Sequence, residues 1–351
     1  MTTASAEAEA DFPERHDLEA ALVRMALLER GRHPHFARMT GGVSSDIWRV
    51  ALDRGPACIK RAVPKLRVKA DWQVPVERTN FECQWMRVAA RTVPDAVPEI
   101  LGQDAAAGLF VMAYLDPATH PLWKLQLRDG IADPATAAAV GDALGRIHAA
   151  TADDPAIAAA FDTTYIFFPL RLESYLLATA RAHPDRAAAI ERLVETTAST
   201  RRTLVHGDVS PKNILVGPKG PVFLDAEGAW FGDPAFDAAF CLNHLLLKCL
   251  WNPAWTAGFL ACFDALVRTY LARCRWEAPA ALEARIARLL PGLFLARVDG
   301  KSPAEYITAE VDRDRVRCTA RMLLADPPER LSEVRAAWAA ELHASRTTGA
   351  P

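Results

Sequence analysis

The sequence predicts an α+β fold of two lobes: a small N-terminal lobe with an antiparallel β-sheet and a helix, and a larger, mainly α-helical C-terminal lobe. Three observations support this fold. Short apolar runs typical of strands are concentrated between residues 36 and 115, and helical periodicity dominates from residue 135 onward. The chain, at 351 residues, is also long enough to bury two cores. The predicted divisions are a flexible tail at 1–14 and lobes at 15–114 and 115–345.

Composition and charge limit the partners that the protein is expected to have. The chain carries 41 basic and 43 acidic residues, so it has no basic surplus to attract nucleic acid. Its seven cysteines are scattered without metal-ligand spacing, which favours reduced core thiols and a cytoplasmic location. The acidic N-terminus does not resemble a signal peptide, and polar residues interrupt the apolar run at 238–251. We therefore expect a cytoplasmic protein that contacts neither nucleic acid nor a membrane.

The elements of the small lobe follow in chain order. Apolar residues at helical spacing predict an amphipathic helix over 17–30 and a second helix over 76–91. Residues 36–50 predict a strand, a Gly-Gly turn and another strand. Further strands are predicted at 57–61, 99–101 and 108–115. The small lobe should therefore contain a sheet of about five strands.

The large lobe is predicted to be helical around one β-hairpin. Periodicity predicts helices at 135–150, 170–182, 186–200, 235–250, 254–274, 279–296, 303–324 and 328–344. The hairpin joins the apolar runs 214–216 and 221–224 through a Gly-Pro-Lys-Gly turn. Four polar residues surround it, because Asp208 and Asn213 precede the hairpin and Asp225 and Glu227 follow it.

These four residues have the arrangement of a phosphoryl-transfer site. His206, Asp208 and Asn213 follow the spacing of a kinase catalytic loop. Asp208 is suited to orient and deprotonate an attacking hydroxyl, whereas Asn213, Asp225 and Glu227 offer the oxygen ligands that Mg²⁺ prefers. Isolated Asp and Asn are usually turn residues, but four at this spacing favour a functional site. His206 is expected to be structural, through hydrogen bonds to the backbone.

The motifs resemble those of the aminoglycoside phosphotransferase and choline kinase group of small-molecule kinases, which have a protein-kinase-like fold. They are H-G-D-x-x-x-x-N at 206–213, D-x-E at 225–227 and G-D-P-x-x-D at 232–237. The resemblance implies transfer of the γ-phosphate of ATP, assisted by Mg²⁺, to a hydroxyl of a small molecule. It also implies that Asp208 is the catalytic residue and that Asp237 braces the catalytic loop. Lys212 is assigned no catalytic role, and His148 is expected to be a packed or capping residue.

The same resemblance makes 15–114 a nucleotide-binding lobe and 115–345 a catalytic and substrate-binding lobe. The glycine turn at 40–46 is similar to the family's nucleotide loop, although a Gly-Gly hairpin is commonly only a turn. Its candidate phosphate-binding residues are Gly41, Gly42, Ser44 and Ser45.

Two further features of the small lobe are expected to contact ATP. Lys60 ends an apolar strand, as does the kinase lysine that holds the α- and β-phosphates, and Glu82 is its expected partner, ahead of Glu77. The last strand runs into a segment similar to the interlobe hinge. Backbone groups there are predicted to bind the adenine edge, at Met112, Ala113 and Leu115.

Two other functions remain open from the sequence. A nucleotide-binding pseudokinase or regulatory module is disfavoured because Lys60, Asp208, Asn213 and Asp225 are all present. A metal-dependent hydrolase built on His206 and the neighbouring carboxylates leaves Lys60 and the glycine turn unexplained.

The acceptor is not identified by the motifs. Basic residues outnumber acidic ones over 281–325, which disfavours a polycation such as an aminoglycoside. A sugar-like or carboxylate-bearing acceptor is at least as compatible, and methylthioribose kinases, which also have a D-x-E metal motif, are similar. The charged segment 296–303 is predicted to be a connection between helices, and Arg297 and Asp299 within it are predicted to contact the acceptor.

Overall fold

The computed structural model describes residue 12 and residues 14–39, 45–64 and 75–347. It confirms the predicted α+β fold with a small antiparallel sheet and a larger helical lobe. Most of the predicted tail at 1–14 and most of the glycine turn at 40–46 lie outside the described residues. The side chain of Phe12 packs against Phe36 and Trp48, with ring centroids 5.7 and 6.1 Å away.

The small lobe contains a five-stranded antiparallel sheet in the order β1-β2-β3-β5-β4. The strands are β1 (Phe36–Met39), β2 (Ser45–Leu52), β3 (Gly55–Ala62), β4 (Ile100–Asp104) and β5 (Leu109–Ala113). Helix α1 (Arg15–Arg24) packs on one face, and α2 (Arg78–Ala90) lies between β3 and β4 in sequence. The predicted first helix was too long, because the chain leaves the helix at Ala26, which has a left-handed φ of 56°. There the amide of Leu27 donates to Leu22 O at 2.9 Å, a Schellman-type ending.

The large lobe begins with helices that pack around the β-strands between residues 203 and 232. They are α3 (Trp123–Arg128), α4 (Pro134–Thr151), α5 (Pro155–Ala160), α6 (Thr164–Phe167), the π-helix Phe168–Leu177, α7 (Ala178–Ala182) and α8 (Ala187–Ser199). Next come two antiparallel pairs, in which β6 (Thr203–Val205) pairs with β9 (Trp230–Gly232) and β7 (Ile214–Gly217) with β8 (Gly220–Phe223). The β7–β8 pair is the predicted hairpin, whereas the β6–β9 pair was not predicted.

The C-terminal helices complete the large core. They are α9 (Ala235–Trp251), α10 (Thr256–Arg273), α11 (Pro279–Asp299), α12 (Glu310–Ala325) and α13 (Leu331–Thr347). Helix α9 lies at the centre and is buried over almost its whole length. Helices α4 and α10 approach closely at Gly141, where an added Cβ would lie 2.6 Å from Leu266 O. The helix predicted at 303–324 begins only at Glu310, and residues 303–309 before it are not helical.

All seven cysteines lie within the described ranges, and none of them forms a disulfide. In the part of the chain that the structure describes, none of the helices combines the length and the hydropathy needed to cross a membrane.

Candidate active site

The catalytic loop is fixed to α9 by one buried carboxylate. Asp237, in the first turn of α9, accepts the backbone amides of His206 at 2.7 Å and Gly207 at 2.8 Å. Its Oδ2 also lies 3.3 Å from Nε2 of His148, and His148 Nδ1 lies 2.9 Å from the Tyr270 hydroxyl. The structure therefore brings Asp237 under the loop, and His148 is a packed residue beneath it.

His206 holds the loop in shape rather than facing a reactant. Its Nδ1 accepts the amide of Asp208 at 3.1 Å, so Nε2 carries the proton and donates to Leu224 O at 3.1 Å. Burial lowers the pKa of His206, which favours this neutral form. The backbone hydrogen bonds predicted for His206 are thus present.

Asp208 is a buried carboxylate with one oxygen paired and one unpaired. Its Oδ2 lies 3.2 Å from Nη2 of Arg171 and 3.1 Å from Nζ of Lys212. Its Oδ1 is buried and has no hydrogen-bond partner among the described residues. Buried polar atoms in folded proteins are nearly always paired, so this oxygen is available for a ligand.

Sequence reasoning did not find Arg171 and assigned no role to Lys212. Arg171 lies on the π-helix, and its Nε donates to Gly207 O, so one side chain contacts both the loop backbone and Asp208. Lys212 reaches Asp208 because the short 3-10 turn Pro211–Asn213 brings the two side chains together. The signal for Arg171 was a single arginine inside the apolar run 166–177, since a buried arginine normally requires a partner.

The predicted metal ligands lie at the mouth of the hairpin. Asn213 donates its Nδ2 to Asp208 O at 3.0 Å, which fixes the side-chain amide. Asp225 follows β8 with a left-handed φ of 70°, an unusual conformation for a residue other than glycine, and its Oδ1 contacts Nζ of Lys60. Burial alone would raise the pKa of Asp225, but the charges of Lys60 and Lys212 hold it below its usual value.

Glu227 is differently placed, because its Oε2 accepts Nε of Arg78 at 3.0 Å. Arg78, a fully buried residue of α2, was not predicted. The described residues contain no cluster of three or more His, Cys, Asp or Glu side chains that would form a metal cage. Asp225 and Asn213 nevertheless fit Mg²⁺, which is bound through one or two carboxylates while phosphate and water oxygens complete its shell.

Lys60 and Glu82 form the predicted pair. Nζ of Lys60 on β3 lies 2.7 Å from Oε1 of Glu82 on α2, and both side chains are buried. Burial would lower the pKa of Lys60, but the carboxylates of Asp225 and Glu82 raise it above its usual value, so this lysine is charged. A lysine held in this way presents a fixed positive charge beside the hairpin.

Comparison with known proteins assigns the chain to a family. The model of the phosphotransferase enzyme family matches residues 35–276. The chain belongs to that family. Methylthioribose kinase 2 of Oryza sativa subsp. japonica is 25% identical over 229 residues, which cover 57% of this chain and 53% of that protein. The methylthioribose kinase of Pectobacterium carotovorum is 24% identical and covers 54% of each chain. The chain thus spans about half the length of the curated relatives it matches.

Solved structures of other kinases share the fold. A choline/ethanolamine kinase family protein from Mesorhizobium loti is 17% identical, with a TM-score of 0.50 over 92% of this chain and 98% of that one. An amicoumacin kinase, solved in complex with AMP-PNP, Ca²⁺ and Ami, is 14% identical, with a TM-score of 0.54 over 90% of this chain and 96% of that one. These likenesses confirm the protein-kinase-like two-lobe fold of this phosphotransferase-family chain.

On the nucleotide side of this family member, the structure places only part of the predicted site. Gly41, Gly42 and Ser44 lie outside the described residues, and Ser45 is buried at the start of β2. Met112 and Ala113 end β5 and pair with β3.

The segment after β5 contains backbone donors that have no partner among the described residues. The amides of Ala113 and Tyr114 are used by Glu99 O at 2.9 Å and Pro56 O at 3.3 Å. The amide of Leu115 makes no hydrogen bond to any residue in the described ranges. Leu115, which was predicted to bind the adenine edge, therefore has a backbone N–H without a protein partner among the described residues.

The segment of this phosphotransferase-family chain that was predicted to bind the acceptor needs a correction in its secondary structure. Residues 296–299 are not part of a connection, because α11 continues to Asp299. Asp299 accepts Nη2 of Arg317 at 2.7 Å and lies 2.8 Å from Nε2 of His183, so both of its oxygens serve contacts between helices. Contact of Asp299 with an acceptor has no support in this geometry.

Arg297, in contrast, lies inside the lobe. It is 7% exposed, and its guanidinium lies 5.7 Å from the centroid of the Tyr175 ring. Its Nη1 donates to Ser302, but its Nε is buried and unpaired within the described chain. Arg297 therefore keeps unused hydrogen-bonding capacity.

Proposed function

We propose that this protein is a phosphotransferase that transfers the γ-phosphate of ATP to a hydroxyl of a small molecule, with Mg²⁺ as cofactor. The observation that carries the proposal is the state of Asp208. One of its oxygens is neutralised by Arg171 and Lys212, while Oδ1 is buried without a protein partner in the described chain. Such an oxygen can accept the proton of an attacking hydroxyl and orient it.

The remaining residues are assigned to the nucleotide. Lys60, fixed by Glu82, would offset the charge of the phosphates, and Leu115 N–H would bind the adenine edge. Asn213 and Asp225 would hold Mg²⁺, which when bound offsets negative charge on the transferred phosphate. Because Glu227 is already bonded to Arg78, we give it a supporting role beside the metal. Residues 15–114 would then form the nucleotide-binding lobe, with the glycine turn over the phosphates, and 115–345 the catalytic lobe.

The names of the curated relatives favour a sugar-like acceptor. Methylthioribose carries hydroxyl groups on a ribose ring, and the relatives named for it are 24–26% identical over 54–57% of this chain. A pseudokinase is disfavoured, because the Lys60–Glu82 pair and the orientation of Asp208 are both intact.

The replacement Asp208→Asn tests the proposal. ATP-to-ADP conversion is measured over a panel of hydroxyl compounds, and ATP binding is measured separately. The variant should lose activity by about 100-fold or more while its ATP affinity stays within twofold, since Asp208 acts on the acceptor. Asp264→Asn, an exposed aspartate of α10, is the matched control and should behave as wild type. An Asp208→Asn enzyme with wild-type turnover would remove Asp208 from the mechanism.

A further inference from the structure

A second group of basic side chains lies inside the large lobe. His244 and Lys248 are one helical turn apart on α9, and Arg297 comes from α11, which packs against α9. Their exposed fractions are 6%, 1% and 7%. These three residues are called the basic cluster.

The basic cluster lacks counter-charge. Within the described chain, no carboxylate forms an ion pair with any of its members. Nζ of Lys248 instead lies 4.0 Å from the centroid of the Trp251 ring and 3.9 Å from that of Tyr306. The Tyr306 hydroxyl is buried without a hydrogen-bond partner among the described residues, as is Nε of Arg297. Buried cations are normally paired, so the composition of the cluster is that of an anion site.

The charges that surround the basic cluster also favour the binding of an anion. Burial is the main cause that lowers the pKa of Lys248 to about 6; the charges of Lys124 and Arg297 contribute in the same direction, and that of Glu305 opposes them. Glu305 is exposed and already paired with Lys124. Burial, followed by Arg297 and Lys248, also lowers the pKa of His244 well below its usual value. A bound anion would reverse these effects, because it would stabilise the charged forms of both residues.

The basic cluster is close to the catalytic residues. Lys212, whose Nζ lies 3.1 Å from Asp208 Oδ2, is among the cations that act on His244. Tyr175 links the two groups, because its ring centroid lies 5.7 Å from the Arg297 guanidinium and it is on the same π-helix as Arg171, which pairs with Asp208. A small molecule with its hydroxyl at Asp208 would therefore place a second group near the cluster.

We propose that the acceptor carries an oxyanion, either a carboxylate or a phosphate ester, and that Arg297, Lys248 and His244 bind it. This inference rests on the proposed function and narrows the acceptor to anionic hydroxyl compounds. In the reaction, the hydroxyl oxygen bonds to the γ-phosphorus, the bond to the β–γ bridging oxygen breaks, and ADP leaves. The hydroxyl proton passes to Asp208. The fixed charge of Arg297 in the cluster disfavours a polycation such as an aminoglycoside.

Charge-matched acceptors test the inference through turnover. Suitable sets are glycerol with glycerate and glycerol 3-phosphate, and glucose with gluconate and glucose 6-phosphate, with kanamycin as the polycation. We expect an anionic member to exceed its neutral counterpart in kcat/KM by about tenfold or more. The comparison of carboxylate with phosphate ester identifies which oxyanion is preferred. Equal or better turnover of neutral or cationic acceptors would overturn the inference while leaving the proposed function intact.

Anion binding provides a readout that does not require turnover. Inorganic phosphate and malate are titrated calorimetrically into protein saturated with Mg·ADP, using wild type, Lys248→Met and Lys301→Met. Lys301 is the matched control, since it lies in the same lobe, is 42% exposed and pairs with Glu173. Lys248→Met should bind the anions about tenfold more weakly or worse, whereas Lys301→Met should match wild type. Proton uptake by Lys248 should make the wild-type binding heat depend on the buffer.

Two results would contradict the inference directly. One is the absence of anion binding by the wild type, and the other is equal affinity in Lys248→Met and wild type. Retained Mg·ADP binding by Lys248→Met shows that the variant is folded. The Asp208→Asn comparison reports on phosphoryl transfer independently of these titrations, so failure of one idea can be distinguished from failure of the other.

Discussion

At the scale of single residues, the two aspartates of the site differ in their surroundings. Asp208 is oriented by Arg171 and Lys212 and keeps one oxygen open to an acceptor in the described structure. Asp225 sits in a left-handed backbone conformation, and Lys60 and Lys212 keep it ionised. Because carboxylates in different environments can take different roles, we propose that Asp208 acts on a proton and Asp225 on a cation.

Replacement of Asp225 should therefore affect the nucleotide. Asp225→Asn should raise the KM for Mg·ATP and lower kcat by about 100-fold, because the phosphates lose charge compensation at the metal. Glu227→Gln should have a smaller effect on both constants, since Glu227 is bonded to Arg78. The measurement is initial rate against Mg²⁺ and ATP concentrations. An unchanged Mg²⁺ dependence in Asp225→Asn, with a large change in Glu227→Gln, would assign the metal to Glu227 instead.

The residues that could be predicted are those whose roles are visible in a local sequence pattern. The Lys60–Glu82 pair could be predicted because a lysine at a strand end precedes an amphipathic helix with a glutamate near its inner face. The contacts of Arg171 and Arg78 could not be predicted. Their partners lie far away in sequence, and neither arginine belongs to a motif. Contacts of that kind depend on how the elements pack.

At the scale of elements, the catalytic loop depends on a glycine. Gly207 has a φ of 80°, and a Cβ there would lie 2.5 Å from Gly228 O, so the loop packs against the chain after β8. The hairpin turn at Gly220 also has a positive φ, of 123°, but no atom lies within 4 Å of an added Cβ. A side chain would strain the backbone at either position, whereas it would also collide with a neighbouring backbone atom at Gly207.

This difference separates two alanine variants. Gly207→Ala should lower the free energy of unfolding by about 2 kcal/mol or more and reduce activity, because both strain and a backbone clash displace the loop. Gly220→Ala should cost about 1 kcal/mol with activity retained, because only strain applies. Urea unfolding and initial rates provide the two measurements. Equal losses in both variants would mean that the contact with Gly228 does not matter.

Helices and the hairpin were predicted well, and short or irregular elements were not. Long helices show a repeated apolar face, and the β7–β8 hairpin has a glycine-containing turn between apolar runs. Strands β6 and β9 have three residues each, too few to show periodicity, and their pairing joins distant segments. The continuation of α11 to Asp299 was not predicted, because the charged residues at 297–301 were interpreted as the end of the helix. In the structure, Arg317 and His183 contact Asp299 and provide partners for its carboxylate.

At the scale of the whole molecule, the buried lysine of the basic cluster lowers the stability of the fold, although it is proposed to bind the acceptor. The pKa of Lys248 falls from 10.5 to about 6 on burial. Between these pH values the unfolded chain binds more protons than the folded protein, so this lysine makes stability increase with pH. Below about pH 6 the full free-energy cost of burying Lys248 is present, and above pH 10.5 this cost disappears.

Lys248→Met should therefore make the protein more stable at pH 6–7, with a gain over wild type that narrows as the pH rises toward 10. The reason is that methionine fills the space between Trp251 and Tyr306 without a buried amine. Urea midpoints at a series of pH values measure the effect, with Lys301→Met as the control. A variant less stable than wild type at pH 6 would contradict the burial cost assigned to Lys248.

The attachment of the catalytic loop to α9 has a consequence for domain motion. Asp237 at the start of α9 holds the loop, and the same helix carries His244 and Lys248 near its other end. The ion pairs Lys60–Asp225 and Arg78–Glu227, in contrast, cross between the lobes. We propose that a rotation of the small lobe would break these two ion pairs while Asp237 keeps the loop attached to α9. Under the proposed function, ADP could then be exchanged for ATP while Asp208 and the basic cluster keep their relative positions.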